Sequence, residues 1–495
     1  MRNKILLILL LPAFIIVSSN AYSKGPAKIK AKTSDLCSDC HEMLDAKFSA
    51  PAKAYSKDIH KSKGVTCAGC HGGDASKEDQ EAAMDKKKGF IGIPSNLVRY
   101  KTCVKCHSDE KEMAKYGSKI KTDQFENLKN SVHFRQTAEG SEFITDCITC
   151  HGVHNITNVK AADSKVNPLK VPALCGSCHS NVNYMKKYNQ KLPTDQVEKY
   201  KTSLHGQMNA KGNTDVAECV NCHGNHGIRK IKDPISTVYP WNIPKTCANC
   251  HSKPELMKKY NLPSNQFDEY ASSVHGKAVL KKFDVSAPTC NSCHGSHGAT
   301  PPGIESISNV CGTCHNFNGE LFAKSPHKAA FDKKHLPECE TCHGNHGIKQ
   351  TSEEMIGIGE KSVCIKCHKD NNDKGYEVSK IMWRLLDSLR TDTVKATNLL
   401  NRANDLEMDV SDAVFALKDV KQILIQSRTQ THLGNLKDFQ EGIKPGFEMT
   451  RKAITSGNEA IDDYYFRRSG LGIATLFMAV LAIVLYMKIK KIEKK

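Results

Sequence analysis

Eleven Cys-x-x-Cys-His pentads lie between residues 37 and 368 of the 495-residue chain and use all 22 of its cysteines. The thiol pairs are Cys37 with Cys40, Cys67 with Cys70, Cys103 with Cys106, Cys147 with Cys150, Cys175 with Cys178, Cys219 with Cys222, Cys247 with Cys250, Cys290 with Cys293, Cys311 with Cys314, Cys339 with Cys342, and Cys364 with Cys367. The histidines that follow them are His41, His71, His107, His151, His179, His223, His251, His294, His315, His343 and His368. Two thiols at this spacing can add to the two vinyl groups of a porphyrin while the adjacent imidazole takes the iron, which is the attachment chemistry of c-type haem. Zinc ribbons and disulfides also use paired cysteines, but neither needs a histidine after every second one. The expected cofactors are therefore eleven covalently bound c-type haems, with the motif histidines as proximal iron ligands.

Eleven further histidines remain: His60, His133, His154, His205, His226, His275, His297, His327, His335, His346 and His432. That number permits a second imidazole on every iron, which keeps iron low-spin and favours electron transfer over substrate binding. Two sets recur. His133, His205, His275 and His327 each follow Ser-x, and His154, His226, His297 and His346 each follow a motif histidine by three, a spacing that shares one face of a helical turn. His60 joins them as a distal candidate, and His335 and His432 are candidates for which a polar surface role weighs equally. Met113, Met185 and Met257 recur six residues past a motif histidine and read as packing around flat cofactors. No constellation of residues points to a catalytic role.

The segments that must carry these residues repeat. Cys103, Cys175 and Cys247 are 72 residues apart, and Cys147, Cys219 and Cys290 follow at 72 and 71, so each unit holds two motifs. Repetition implies an array of like modules rather than one globular core. Short helices are expected, for example over 194–204 and 264–274, with breaks at prolines such as Pro172, Pro244 and Pro288. The expected fold is mostly α with little regular structure: tandem doubled motifs wrapped around stacked haems, then a helical stalk and one transmembrane helix. Hydrophobic residues make up 39% and aromatics 6%, thin for a core of this length unless haems supply apolar mass.

Residues 1–23 read as a secretory signal peptide, with Arg2 and Lys4 ahead of an apolar run from Ile5 to Val17, though that run could also stay in the membrane. Residues 24–375 form the haem region, 376–466 a helical bundle or stalk, and 467–495 a membrane helix (470–487) with a basic tail. Gly470 to Met487 is uncharged over 18 residues, enough for a bilayer core, and five lysines follow it. The positive-inside rule places that tail in the cytoplasm and the haems on the periplasmic face of the cytoplasmic membrane. The net charge is +18; the ends carry +2 and +6 and the helical segment −2, leaving +12 for residues 24–375. Haem propionates, about 22 of them, answer that charge, so nucleic acid is not an expected partner. In 376–466, Val378, Ile381, Met382, Leu385, Leu386 and Leu389 keep helical spacing, a second helix is expected from Asp409 towards Leu433 with Val410, Val414, Leu417 and Leu424 inward, and Pro445 is expected to start a third.

Cys37-Ser38-Asp39-Cys40-His41-Glu42-Met43, followed by Tyr55, His60 and Gly64-Val65-Thr66-Cys67, resembles the first haem pair of the NapC/NirT-type quinol dehydrogenases. The resemblance implies Met43 as an iron ligand at a quinol-facing haem, although that family is anchored by an N-terminal helix and the expected anchor here is C-terminal. Residues 37–368 as a whole resemble the multihaem cytochromes c of anaerobic respiring bacteria. The segment Arg428-Thr429-Gln430-Thr431-His432 resembles the C-terminal helices of multihaem enzymes such as hydroxylamine oxidoreductase, where a helix supports or ligates a haem. The leading expectation is a membrane-anchored electron-transfer protein linking the quinol pool, or a quinol-oxidising membrane partner, to periplasmic or outer-membrane redox proteins; assembly as a homo-oligomer is left open. The alternative is an oxidoreductase acting on a small nitrogen or sulfur compound, of nitrite or hydroxylamine type.

Overall fold

A computed structural model describes residues 35–137, 140, 143–302 and 307–494. The expected signal peptide lies outside the described residues. The chain divides into two compact units, 1–167 and 168–495. Among the described residues all regular structure is helical apart from one isolated bridge, Gln136 to Phe143.

In both units the haem motifs are helical, and the sequence around each dictates how. Cys67–His71 and Cys147–His151 in the first unit, and Cys219–His223 and Cys290–His294 in the second, are single turns of five residues. Capping boxes start three of them: Asp146 with Thr149, Glu218 with Asn221, and Thr289 with Ser292. A glycine ends each of the four, and the left-handed φ values of Gly152 (79°) and Gly224 (77°) show why that residue must be glycine. The alternating motifs close longer helices, Tyr100–His107, Val171–His179 and Ile243–His251, the last two carrying Pro172 and Pro244 in their first turn.

The expected helices over 194–204 and 264–274 form as Gln196–Thr202 and Gln266–Ser272, each ended by a serine that starts a further helix. Gln196–Thr202 stops at Ser203, whose extended backbone (ψ 157°) begins a second helix, Leu204–Ala210; Ser273 divides Gln266–Ser272 from Val274–Lys282 in the same way. The serine hydroxyl satisfies the new helix start, which a continuous helix would not need.

The one hydrophobic cluster of size lies in the second unit, in three long helices: α1 (Lys374–Asp405), α2 (Ser411–Gln430) and α3 (Leu436–Ile492). Met382, Leu386, Leu389, Thr393, Ala396, Leu400 and Ala403 alternate steps of four and three along α1, and Phe439, Ile443, Gly446, Thr450 and Ala453 do so along α3, the spacing of a heptad seam. Leu386, Leu389 and Phe439 are fully buried. Small residues let the helices close: a Cβ on Gly446 would stand 2.7 Å from a Leu389 methyl.

Two expectations need correction here. Pro445 does not start the third helix; α3 begins at Leu436, capped by the Asn435 side chain, and runs through Pro445, because the surrounding seam packing outweighs the one backbone hydrogen bond that proline forfeits. Val414 is exposed, and Val420 fills the inward position instead. The last part of α3 has a mean hydropathy of 2.3 over 18 residues and buries nothing, so it is long and apolar enough to cross a membrane.

Candidate haem sites

His205 and His275, of the Ser-x-His kind, stand in the first turns of capped helices. Ser203 Oγ donates to the Tyr200 carbonyl (2.6 Å) and accepts from Gly206 N–H (2.9 Å), fixing His205 between them. Ser273, Tyr270 and Gly276 repeat this around His275. The glycine is obligatory, since a Cβ would lie 2.0 Å from the Tyr200 carbonyl oxygen at Gly206 and 1.8 Å from that of Tyr270 at Gly276. The tyrosine hydroxyls reach the next motif: Tyr200 donates to Ala217 O (3.0 Å) and Tyr270 to Pro288 O (2.9 Å), each two residues before a motif cysteine. Tyr55 donates to Val65 O, two residues before Cys67. Tyr55-x-x-Asp58-x-His60 is thus the same device with aspartate in the serine position. Sequence reading missed it, although the constant Tyr-to-His interval of five was there to be counted.

The second kind of distal histidine is not on the motif helix at all. The expected sharing of one helical face between His151 and His154 fails because Gly152 ends the helix and turns the chain, leaving His154 itself in the left-handed region (φ 64°). The same glycine follows His223, His294 and His343. The loop is free to carry its histidine to a different motif.

The structure brings distal histidines to motif histidines in pairs. In the first unit, His60 faces His107 and His154 faces His71, both at 6.0 Å between ring centroids. In the second, His205 faces His251 (6.1 Å), His297 faces His223 (6.1 Å), His275 faces His315 (6.3 Å), His346 faces His294 (6.0 Å), His327 faces His368 (6.0 Å) and His432 faces His343 (6.0 Å). Two imidazoles on opposite sides of one metal, each bond about 2 Å and each nitrogen about 1.2 Å from its ring centre, would sit about 6.4 Å apart. His133, His151, His179 and His226 also make interactions of their own.

The outer partners of these rings suit metal ligation. Nδ1 of His71 meets Gly92 O (2.7 Å), that of His432 meets Thr429 O (2.8 Å), that of His60 meets Asp58 Oδ1 (2.8 Å) and that of His368 meets Asp373 Oδ2 (2.6 Å). Engaging Nδ1 leaves Nε2 to face a metal. Burial, first among the causes, lowers the pKa of His107, His154, His205, His223, His251, His275, His297, His327, His343 and His346, which keeps them in the neutral form that binds iron.

No disulfide joins any of the 22 cysteines. Burial, then the Asp35 charge, pushes Cys37 up to about 11 and Cys67 up to about 12. Among the described residues no group of three or more His, Cys, Asp or Glu closes on a metal ion unaided. Facing imidazole pairs flanked by thiol pairs fit a metal whose remaining ligands arrive with it, as in a porphyrin. Residues 59–164, which hold the motifs from Cys67, Cys103 and Cys147, match the cytochrome c3 family. No curated protein and no solved structure matches the chain. The chain is a multihaem c-type cytochrome.

Within each unit of the cytochrome, consecutive motifs adjoin. Cys67 lies in the field of Cys37 and Cys70 in that of Cys103, and Cys103 stands beside Cys147. In the second unit Cys175 stands beside Cys219, Cys222 feels Cys247, Cys247 stands beside Cys290, Cys293 feels Cys311, Cys311 stands beside Cys339 and Cys342 feels Cys364. Chain order is therefore spatial order within each unit.

The two thiols of a motif stand in different surroundings. First thiols lie beside one another between motifs, Cys103 with Cys147, Cys175 with Cys219, Cys247 with Cys290 and Cys311 with Cys339. Cys150, Cys178 and Cys250 are half-buried, and Cys314 and Cys367 are exposed. Cys250, Cys314 and Cys367 act on Cys222, Cys293 and Cys342 only through their fields, each after the first thiol of its own motif. Cys178 accepts from Ser177 Oγ and Cys314 from Thr313 Oγ1, both at 3.9 Å, and Cys150 makes an interaction of its own. The reason is helical rise: three residues advance the chain about 4.5 Å, so thiols on one face of a turn cannot both meet the same neighbour.

Backbone hydrogen bonds also tie the distal histidines in twos. Ile59 N–H donates to Ile156 O (2.7 Å), Leu204 to Ala299 O (3.3 Å) and Val274 to Ile348 O (2.9 Å). Each joins the start of a Ser/Asp-x-His helix to the residue two past a loop histidine. Gly434, two past His432, packs against Pro326 and His327 in the same relation. The tied histidines serve neighbouring motifs, so each tie clamps two consecutive haem sites.

His432 closes the last of these clamps from the turn between α2 and α3, so the helical bundle also contributes to the array. Met43 is 81% exposed at the end of helix Leu36–Glu42, and its neighbour His41 meets the Phe48 ring edge-on at 6.0 Å. His335 is exposed in a left-handed conformation at the end of Pro326–Lys334, outside the pairs described above. Met113, Met185 and Met257 are buried.

Proposed function

We propose that the cytochrome carries eleven haems and passes electrons along them from one end of the array to the other. The observation that carries this reading is the set of eight facing imidazole pairs, each joining a motif histidine to a distal one. On these grounds His60, His154, His205, His275, His297, His327, His346 and His432 are assigned as sixth ligands, with His133 and His226 in the same role because they belong to the same two sequence sets. All 22 thiols are assigned to haem attachment, including Cys150, Cys178, Cys250, Cys314 and Cys367, since each shares a motif with a first thiol and a proximal histidine. An iron held on both sides has no position for substrate, so its chemistry is one-electron exchange. The side chains supply the rest: the imidazoles set the low-spin state, Asp58 and Asp373 orient and charge-tune two of them, and the thiols fix the order of the sites.

The apolar stretch of α3 is read as a single-pass anchor with the haems periplasmic and the lysine-rich end cytoplasmic. The partners are a quinol or a quinol-oxidising membrane protein on one side and periplasmic or outer-membrane redox proteins on the other, in anaerobic respiration. A second reading, substrate chemistry at one iron, is favoured by one observation only: His41 faces Phe48 rather than a second histidine among the described residues.

The test is a haem count by intact mass and pyridine haemochrome on the purified holoprotein, with an electron paramagnetic resonance (EPR) spectrum of the oxidised state. Eleven haems with low-spin iron at all sites except at most the first support the relay. Fewer haems, or high-spin iron at several sites, would reject it. A high-spin signal perturbed by nitrite or hydroxylamine would favour the enzyme reading.

A further inference from the structure

We infer that the two kinds of distal histidine divide the irons into two electronic classes that alternate along the chain. This rests on the bis-histidine reading above and goes beyond it. Where the distal histidine comes from the loop after a motif glycine, or from the turn holding His432, the two ring planes are nearly parallel: 13° for His71–His154, 12° for His223–His297, 16° for His294–His346 and 23° for His343–His432. Where it stands in the first turn of a helix that begins at Ser or Asp, the planes are turned further: crossed at 87° for His60–His107 and at 62° for His205–His251 and His327–His368, and tilted by 33° for His275–His315. In motif order these are the second and third, sixth and seventh, eighth and ninth, and tenth and eleventh sites, the smaller angle then the larger each time. Every backbone tie holds one of each.

Ring orientation matters because an imidazole donates π density perpendicular to its plane. Parallel rings act on the same iron d orbital and split the two orbitals of π symmetry; crossed rings act on both and leave them nearly equal. Low-spin ferric iron has one vacancy in this set, and splitting stabilises the vacancy. Ferrous iron has the set full and gains nothing. Parallel sites therefore hold the ferric state more firmly and have the lower potential, other ligand effects being alike. Crossed sites accept electrons first. The array is then a sawtooth in which each electron rests on a crossed site and passes over a parallel one.

The origin of the difference lies in backbone chemistry. A residue in a first helical turn has its Cα–Cβ direction set by the helix. A residue two beyond a left-handed glycine approaches from an extended loop, along another direction. The sequence therefore encodes the class: Ser/Asp-x-His gives crossed, His-Gly-x-His gives parallel.

The experiment is a potentiometric titration of the holoprotein followed by low-temperature EPR. Expected are two low-spin families in comparable amounts, a rhombic one and a strongly anisotropic one with a large principal g value, and the anisotropic family should disappear at the higher potential. A single low-spin family, or reduction of the rhombic family first, overturns the inference while leaving bis-histidine ligation standing. High-spin iron at these sites overturns the ligation itself, and this inference with it.

Discussion

Asp58 sets apart the first capped histidine, since the equivalent positions 203 and 273 are serine. Its carboxylate is buried, accepts from the His60 ring at 2.8 Å and from the His60 and Ile156 N–H groups at 2.9 and 2.7 Å. Burial alone would raise its pKa, but these donors outweigh burial and hold it below the ordinary carboxylate value, so the group is ionised at neutral pH. Replacing Asp58 by Asn keeps the shape and removes the charge. The path from the carboxylate through the ring to an iron on Nε2 is the 2.8 Å hydrogen bond plus the ring and one metal–ligand bond, about 7 Å in all. At an effective dielectric constant of about 20, one charge at that distance is worth about 2.4 kcal/mol. Ferric iron carries one more positive charge than ferrous, so losing the carboxylate raises the potential, by about 100 mV for a one-electron couple. The assay is EPR-monitored redox titration of Asp58→Asn against the parent protein, following the most anisotropic low-spin signal, which the 87° crossing of His60 and His107 assigns to this site. An unchanged potential, or a downward shift, would refute the placement of Asp58 as a charged partner of an iron ligand. Because asparagine offers one acceptor fewer to the Ile156 N–H, a stability loss of about 1–3 kcal/mol is expected alongside.

Gly276→Ala forces a Cβ to within 1.8 Å of the Tyr270 carbonyl oxygen and should displace His275, so the holoprotein is expected to gain one high-spin haem, read by EPR. Tyr270→Phe removes the hydrogen bond to Pro288 O and should lower stability by about 1 kcal/mol in denaturant unfolding while leaving the low-spin signals intact. Leu389→Ala, in the fully buried seam of the bundle, is expected to cost about 3–5 kcal/mol, and the thermal unfolding of the bundle should shift while the haem spectra at the far motifs do not. A chain ended after Arg468 loses the exposed apolar stretch and should leave the membrane fraction with its visible spectrum unchanged.

The sequence by itself determined the cofactor chemistry, because Cys-x-x-Cys-His is a local requirement: two thiols and an imidazole on one helical turn need nothing from the rest of the chain. It also marked two recurring sets of spare histidines by their local surroundings, and the apolar stripe that opens α1. Local signals misled where a competing backbone device won. Gly152 removed His154 from the helical face it was expected to share, and seam packing carried α3 through Pro445. Only the packing of one motif on the next sets Cys247, beside Cys290, apart from Cys250. Tertiary structure alone decided which distal histidine faces which motif. His60 faces His107 rather than the nearer His41 or His71, because the start of its helix is docked on the Ile156 carbonyl, 97 residues away in the chain. His432 reached His343 only because α1 and α2 run out and back, which returns the turn before α3 to the haem region. Spacing along a chain cannot specify such partners, since they depend on which loop closes on which helix start, and that is settled by packing and backbone hydrogen bonds between distant segments.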